Sequence, residues 1–401
     1  MTLVGMRTGQ CYPPNRIEEF GSEGETLEVF SPSCARQIHR NGHSVYERFR
    51  DFWPLRVEPE QCSLGEGQTP LLRAPHSLKV YTGLDRLYLK NETANPTWSF
   101  KDRGTVVCCA LARQLGEPYL ATISTGNMGQ SVAAYAARCG LKALIVVPAT
   151  ASPQKLQAAA VYGATILRVE TDDLCHLKHE LAAVAKSLGL RITTGANPFR
   201  VEGYKFEAFE MWEQLDGVVP DFVVVPTSAG GHIRGIFKGW QELEAAGLVE
   251  SLPTMVLVQA ASNAPLADAL LGELPEPVPY PPAKTYASAL TSNDPPGGAN
   301  LLRLAQNASW LGATVAEEAI REAWEIAARA GLWVEPSSAI VLPALRQLAA
   351  RGVIPRDACV VASVTGAGPK DMRLVENSSF TVVQTTLAAL ENQLKKFLSE
   401  L

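Results

Sequence analysis

At 401 residues the chain exceeds the size of a single hydrophobic core, so two or three domains are expected. A content of 46% hydrophobic and 19% charged residues describes a soluble globular enzyme, and a net charge of −5 without a long basic run excludes nucleic acid or an anionic membrane as the main partner. No apolar stretch approaches the roughly 18 residues of a membrane span and the start lacks a secretory apolar region, which reads as cytoplasmic.

Residues 1–60 are rich in Pro, Gly, Ser and charge, with no sustained periodicity before 43–50. They read as an extended N-terminal arm packed on the body or on a neighbouring subunit. From Tyr119 the chain repeats a short apolar run, a turn and a helix. The run at 119–123 precedes a helix over about 128–139 stopped by Gly140, and the run at 143–147 precedes one over 153–162 stopped by Gly163. A third run follows at 165–169. Short buried strands alternating with helices that end in Gly predict a parallel sheet covered on both faces.

A second series of apolar runs lies at 221–226, 254–258 and 358–364, interrupted at 275–298 by a segment dense in Pro, Gly, Asn and Asp that reads as irregular. The expected organisation is an arm at 1–60, a large α/β domain from 61–97 and 197–380, a small α/β subdomain at 98–196, and a C-terminal helix at 381–401. That helix places Leu387, Leu390, Leu394, Leu398 and Leu401 at three- and four-residue spacing. Such a face suits domain core or subunit contact better than a membrane anchor, and a homodimer is expected.

The eight cysteines contain no Cys-x-x-Cys pair, and Cys108, Cys109 and Cys139 fall in apolar helical stretches. Reduced, packed thiols are the natural account. Cys11, Cys34, His39 and His43 lack the paired-cysteine spacing of a zinc ribbon, and Cys175, His176 and His179 read as a helix surface. No metal is expected.

Residues 95–104, Asn-Pro-Thr-Trp-Ser-Phe-Lys-Asp-Arg-Gly, carry the strongest chemical signal. A lysine is a useful nucleophile at neutral pH only when burial or a nearby cation depresses its pKa. Phe100, Trp98 and Arg103 stand close enough in sequence to Lys101 to be expected in that role. Taken alone, Lys101 reads better as a surface lysine at a helix start, since solvated lysines far outnumber reactive ones.

This decapeptide resembles the Asn-Pro-Thr-x-Ser-Phe-Lys-Asp-Arg-Gly motif of the threonine synthases, members of the tryptophan-synthase-β-like superfamily that uses pyridoxal 5'-phosphate (PLP). The resemblance continues in register over roughly 44–375. It takes in an opening segment at 63–71, Ser-Thr-Gly-Asn at 124–127, Asn-Pro-Phe-Arg-Val-Glu-Gly at 197–203, Glu-Pro-Ser-Ser-Ala at 335–339, and Thr365 with Gly366. It implies a two-domain α/β PLP-dependent fold of type II, with parallel sheets flanked by helices.

The resemblance also implies roles. Lys101 is the catalytic lysine that bonds the cofactor. Ser228, Ala229, Gly230, Gly231 and His232, between a strand and a helix, form the cofactor's phosphate loop, where backbone amides and small residues suit an anion. Asn127 faces the phenolic oxygen and Thr365 the ring nitrogen. Ser124 and Thr125 bind substrate, and Arg200 with His232 grips a substrate phosphate. Each also has a plainer reading, as a helix cap, a strand end, a turn or a surface arginine.

The chain departs from the family pattern in several places. Both asparagines usual in the phosphate loop are replaced, Ala367 stands where a histidine is common, Met128 where threonine is common, and Thr194 with Gly195 where a polar pair is usual. The expected activity is conversion of O-phosphohomoserine and water to threonine and phosphate. The alternative is a paralogue performing β-elimination or β-replacement on serine, threonine or O-phosphoserine. A non-catalytic PLP-binding sensor is a third class, to which Lys101, Asn127 and Thr365 together lend little support.

Overall fold

Near the start of the chain lie three short strands, β1 (Thr2–Gly5), β2 (Cys11–Tyr12) and β3 (Leu27–Phe30), with Leu3, Leu27 and Val29 turned inward. The computed structural model describes residues 1–401 except 32–35, 152, 172–173, 377–382 and 400–401. β1 pairs antiparallel with both β2 and β3, so what reads as an extended arm carries a sheet of its own. Strands of two to four residues are too short for a periodic signal, which is why the sequence shows none. Lys238 Nζ donates to the Val29 carbonyl at 2.7 Å and pins this sheet to the helix Gly231–Ala245.

The large sheet opens with β4 (Leu71–Arg73) and β5 (Arg86–Asn91), which are antiparallel to each other. The chain then leaves to build a separate parallel sheet from β6 (Tyr119–Ile123), β7 (Lys142–Pro148) and β8 (Thr165–Val169). It returns through β9 (Phe222–Pro226), β10 (Thr254–Ala260), β11 (Leu311–Val315) and β12 (Cys359–Val364). The completed large sheet has the order β11-β10-β9-β12-β5-β4, parallel except at β4. Val223, Val224 and Val225 of β9 and Val360, Val361 and Ala362 of β12 are all fully buried, as continuous apolar strands covered on both faces must be.

The helix Lys101–Leu115 crosses the helix Pro198–Tyr204 at Gly203, where an added Cβ would stand 1.8 Å from the Arg103 carbonyl oxygen. Only a residue without a side chain permits that approach. The chain divides into a body, Met1–Lys370, and a C-terminal unit, Asp371–Leu401. In the latter a 3-10 turn at Leu387–Ala389 leads into the helix Leu390–Ser399, which carries Leu390, Leu394 and Leu398; Leu401 lies outside the described residues. Among the described residues no helix is long and apolar enough to cross a membrane. Cys62, Cys108, Cys109 and Cys359 are buried free thiols, while Cys34 lies outside the described residues.

Candidate active site

Three strands of the two parallel sheets deliver side chains to one region from their C-terminal ends, the place where open α/β sheets bind ligands. β12 ends at Val364 and presents Thr365, β9 ends at Pro226 ahead of residues 228–232, and β6 ends at Ile123 ahead of Ser124 and Thr125. The lysine segment is tied to the first of these. Phe100 N–H donates to the Thr365 carbonyl at 3.1 Å, and Ser99 forms an antiparallel bridge with Gly366. Just before it, Trp98 holds a left-handed φ of 64°, a strained conformation of the kind that clusters at functional sites.

Lys101 is the first residue of its helix, and its Nζ lies 4.1 Å from the centroid of the Phe100 ring. Burial, and then the positive charge of Arg200, hold its amine down at about 7, while Glu335 pulls the other way. The expectation that Arg103 and Trp98 would perturb it is corrected here. Trp98 is exposed, and Arg103 is turned into a buried network, with Nε 2.6 Å from Glu92 Oε2 and Nη2 2.7 Å from Glu210 Oε2. Lys90 joins the same network at 2.6 Å from Glu210 Oε2. The cation that acts on Lys101 comes from a helix about a hundred residues further along the chain.

Arg200 is fully buried. Its helix starts where Asn197 Oδ1 accepts the Phe199 N–H at 2.9 Å, with Pro198 in the first turn. Nη1 donates to Thr105 Oγ1 at 3.1 Å, while Nε and Nη2 have no hydrogen-bond partner in the protein. A guanidinium with buried, unused donors is suited to an anion brought in from outside.

In the loop after β9, Gly230 takes a φ of 88°, and the helix beginning at Gly231 has no side-chain cap. Its leading N–H groups therefore face outward from the helix end. Gly231 packs against the 195–197 turn so closely that a Cβ would stand 2.3 Å from the Gly195 carbonyl oxygen. His232 does not offer both ring nitrogens to a phosphate. Nε2 lies 2.6 Å from Glu207 Oε2, whose other oxygen accepts Ser363 Oγ at 2.7 Å, and the ring stacks on Phe100 with centroids 3.8 Å apart. Only Nδ1 is left without a partner, so the expected grip of His232 on substrate is reduced to that one atom.

Asn127 begins the helix Asn127–Arg138, and its Nδ2 donates to Glu335 Oε2 at 2.8 Å. A Cβ on Gly366 would fall 2.1 Å from that same carboxylate oxygen, so Asn127, Glu335 and Gly366 are packed together. Thr365 Oγ1 lies 2.9 Å from Ser338 Oγ, which accepts the N–H groups of Thr365 at 3.1 Å and Gly366 at 2.8 Å. Ser124 Oγ accepts the Gly126 N–H at 3.3 Å. A second lysine closes this side: Lys370 Nζ donates to the Thr97 carbonyl and, at 2.6 Å, to Gln130 Oε1, and burial lowers it to about 8.

Several of these residues went unremarked in the sequence reading. Glu335 and Ser338 lie in the Glu-Pro-Ser-Ser-Ala segment at 335–339, so the signal for them was present, whereas nothing local marks Glu207 or Lys370. The described residues contain no cluster of three or more His, Cys, Asp or Glu able to hold a metal ion.

The model of the pyridoxal-phosphate dependent enzymes matches residues 62–366. The threonine synthase of Methanocaldococcus jannaschii is 36% identical over 358 residues, covering 88% of this chain and 87% of that protein. The chain belongs to the threonine synthase family. The Mycobacterium tuberculosis H37Rv threonine synthase is 34% identical over 337 residues, covering 83% of this chain and 90% of that protein. Among solved structures, the processed form of threonine deaminase isoform 2 from Solanum lycopersicum superposes with a TM-score of 0.65 at 19% identity, covering 87% of this chain and 97% of that one. Maize serine racemase superposes with a TM-score of 0.63 at 20% identity, covering 83% and 93%. These two show the fold, the type II arrangement of parallel sheets flanked by helices.

Members of this family depend on pyridoxal phosphate, and the residues present fit that cofactor. The amine of Lys101 is depressed to about 7, an uncapped helix start follows a small-residue loop, and a hydroxyl pair stands at the end of β12. Ser99 Oγ, His232 Nδ1 and two nitrogens of Arg200 are buried without a protein partner, as polar groups lining a ligand site are.

Proposed function

We propose that this chain is a threonine synthase, converting O-phosphohomoserine and water to threonine and phosphate. The observation that carries the reading is the pairing of Lys101, an amine held at about 7, with the buried guanidinium of Arg200, whose Nε and Nη2 are unused. When bound, pyridoxal phosphate supplies an aldehyde for amino groups and an electron sink for charge developing beside them. Lys101 would carry it, with Ser228, Ala229, Gly230, Gly231 and the backbone of His232 around its phosphate, Asn127 at its phenolic oxygen and Thr365 at its ring nitrogen. A hydroxyl at that nitrogen leaves it largely unprotonated, which suits elimination and replacement better than transamination.

Lys101 removes protons from Cα and Cβ of the substrate. Phosphate leaves Cγ with the electron pair of the C–O bond, protons return to Cγ and Cα, and water adds its hydroxyl at Cβ. Arg200 holds the departing phosphate by charge-assisted bonds, and Ser124 and Thr125 hold the substrate carboxylate at a helix start. Asn127, steadied by Glu335, and Thr365, steadied by Ser338, keep these groups in one geometry.

The second reading is β-elimination or β-replacement on serine, threonine or O-phosphoserine. One observation favours its unphosphorylated substrates, serine and threonine: the acidic side chain of Glu19, held on Thr194 close to Arg200, takes up part of the positive field a phosphate needs. Incubation of the holoenzyme with O-phosphohomoserine, O-phosphoserine, serine and threonine separates the two. Equal yields of threonine and phosphate from O-phosphohomoserine alone support the first, and pyruvate or 2-oxobutyrate from the others supports the second.

A further inference from the structure

The N-terminal arm brings a carboxylate to the turn that precedes Arg200. Arg191 clamps the arm: Nη2 donates to the Asn15 carbonyl at 3.0 Å, Nη1 to the Arg16 carbonyl, and Nε pairs with Glu117 at 3.0 Å. Lys186 adds an ion pair with Glu18 at 3.2 Å. So held, Glu19 accepts the Thr194 N–H on Oε1 at 2.8 Å and the Thr194 hydroxyl on Oε2. The side chain of Asn197 is a further donor to it, and the charge of Arg200 acts on it. Glu19 thus draws on a backbone amide, a hydroxyl and a carboxamide, while the guanidinium of Arg200 acts on it through charge alone.

That donor set is what a phosphate monoester needs, and it belongs to the segment read as the grip on the substrate's phosphate. Burial raises the pKa of Glu19 in spite of these donors, so the desolvation cost of its carboxylate exceeds what they return. A phosphate brought to the same donors is repelled by Glu19, and Thr194 has one hydroxyl to give.

We propose that Glu19 is an internal acid standing beside the substrate's phosphate subsite, on the Thr194 and Asn197 donors next to Arg200, and that residues 15–19 form a strap which a phosphorylated substrate displaces. The inference rests on reading Arg200 as the residue that holds the substrate's phosphate. The strap makes the site selective: a neutral side chain cannot eject Glu19, whereas an anion with a stronger attraction to Arg200 can.

Inorganic phosphate is the probe, titrated calorimetrically into the PLP-loaded enzyme, in which the cofactor fills its own phosphate loop. Glu19→Gln is expected to bind phosphate about tenfold more tightly than the parent, a coupling of about 1.4 kcal/mol. Arg191→Met, which loosens the clamp without touching the donors, is expected to tighten binding severalfold. Adding Arg200→Met to either variant is expected to abolish the gain. Unchanged or weaker phosphate binding in Glu19→Gln, or a gain that survives Arg200→Met, overturns the strap. If Glu19→Gln tightens phosphate but neither form makes threonine from O-phosphohomoserine, the strap stands and the threonine synthase reading falls. If the parent makes threonine and Glu19→Gln changes neither phosphate affinity nor KM, the strap falls and the activity stands.

Discussion

At Lys101, burial strips water from the ammonium and Arg200 adds a like charge, and both favour the neutral amine. Two predictions follow from the sign of that shift. In the apoprotein, the rate at which an acylating reagent labels Lys101, followed by mass spectrometry, is expected to rise with a midpoint near 7. Arg200→Met should move the midpoint up and lower labelling at pH 7 by about fivefold, the change a shift of roughly one unit produces. A midpoint unmoved by Arg200→Met would show that burial acts alone. The second concerns stability. Lys101 binds its proton less tightly folded than unfolded, so between pH 7 and the ordinary lysine value of 10.5 the unfolded state holds more protons and stability gains from rising pH. Lys101→Met is expected to flatten that part of the pH–stability curve in urea unfolding while leaving the protein folded. An unchanged slope would contradict the assignment.

Among elements, the crossing of Lys101–Leu115 with Pro198–Tyr204 fixes the distance between Lys101 and Arg200, and Gly203 is its point of closest approach. Gly203→Ala is expected to lower the unfolding free energy by about 1–3 kcal/mol, the usual effect of overpacking. It should also push the Lys101 labelling midpoint upward, because the helices must part. Arg103→Met leaves Glu92 buried without its cation and Glu210 with Lys90 alone, and should cost about 3–5 kcal/mol in urea unfolding, a loss that a surface arginine would not show. Much of this level was legible in the sequence. The runs at 119–123, 143–147 and 165–169 are β6, β7 and β8, and the helix expected over 128–139 is Asn127–Arg138. The N-terminal sheet was not legible, since its strands are too short for periodicity and hold together through pairing across turns.

For the whole molecule, the site is an outcome of topology: the ends of β6, β9 and β12, belonging to two sheets, bring their loops to Lys101. Lysine, loop, asparagine, threonine and arginine could each be read from a local motif. Their partners could not, because Asn127 meets Glu335 across 208 positions and Thr194 meets Glu19 across 175, and no local pattern encodes such pairings. The central claim is that the chain breaks the Cγ–O bond of O-phosphohomoserine and adds water at Cβ. The most direct measurement is turnover of that substrate in 18O-labelled water, with threonine and phosphate analysed by mass spectrometry. The account predicts one label on the threonine hydroxyl and none in the phosphate released during turnover. Label in the phosphate, signifying P–O cleavage, or 2-oxobutyrate in place of threonine would contradict it.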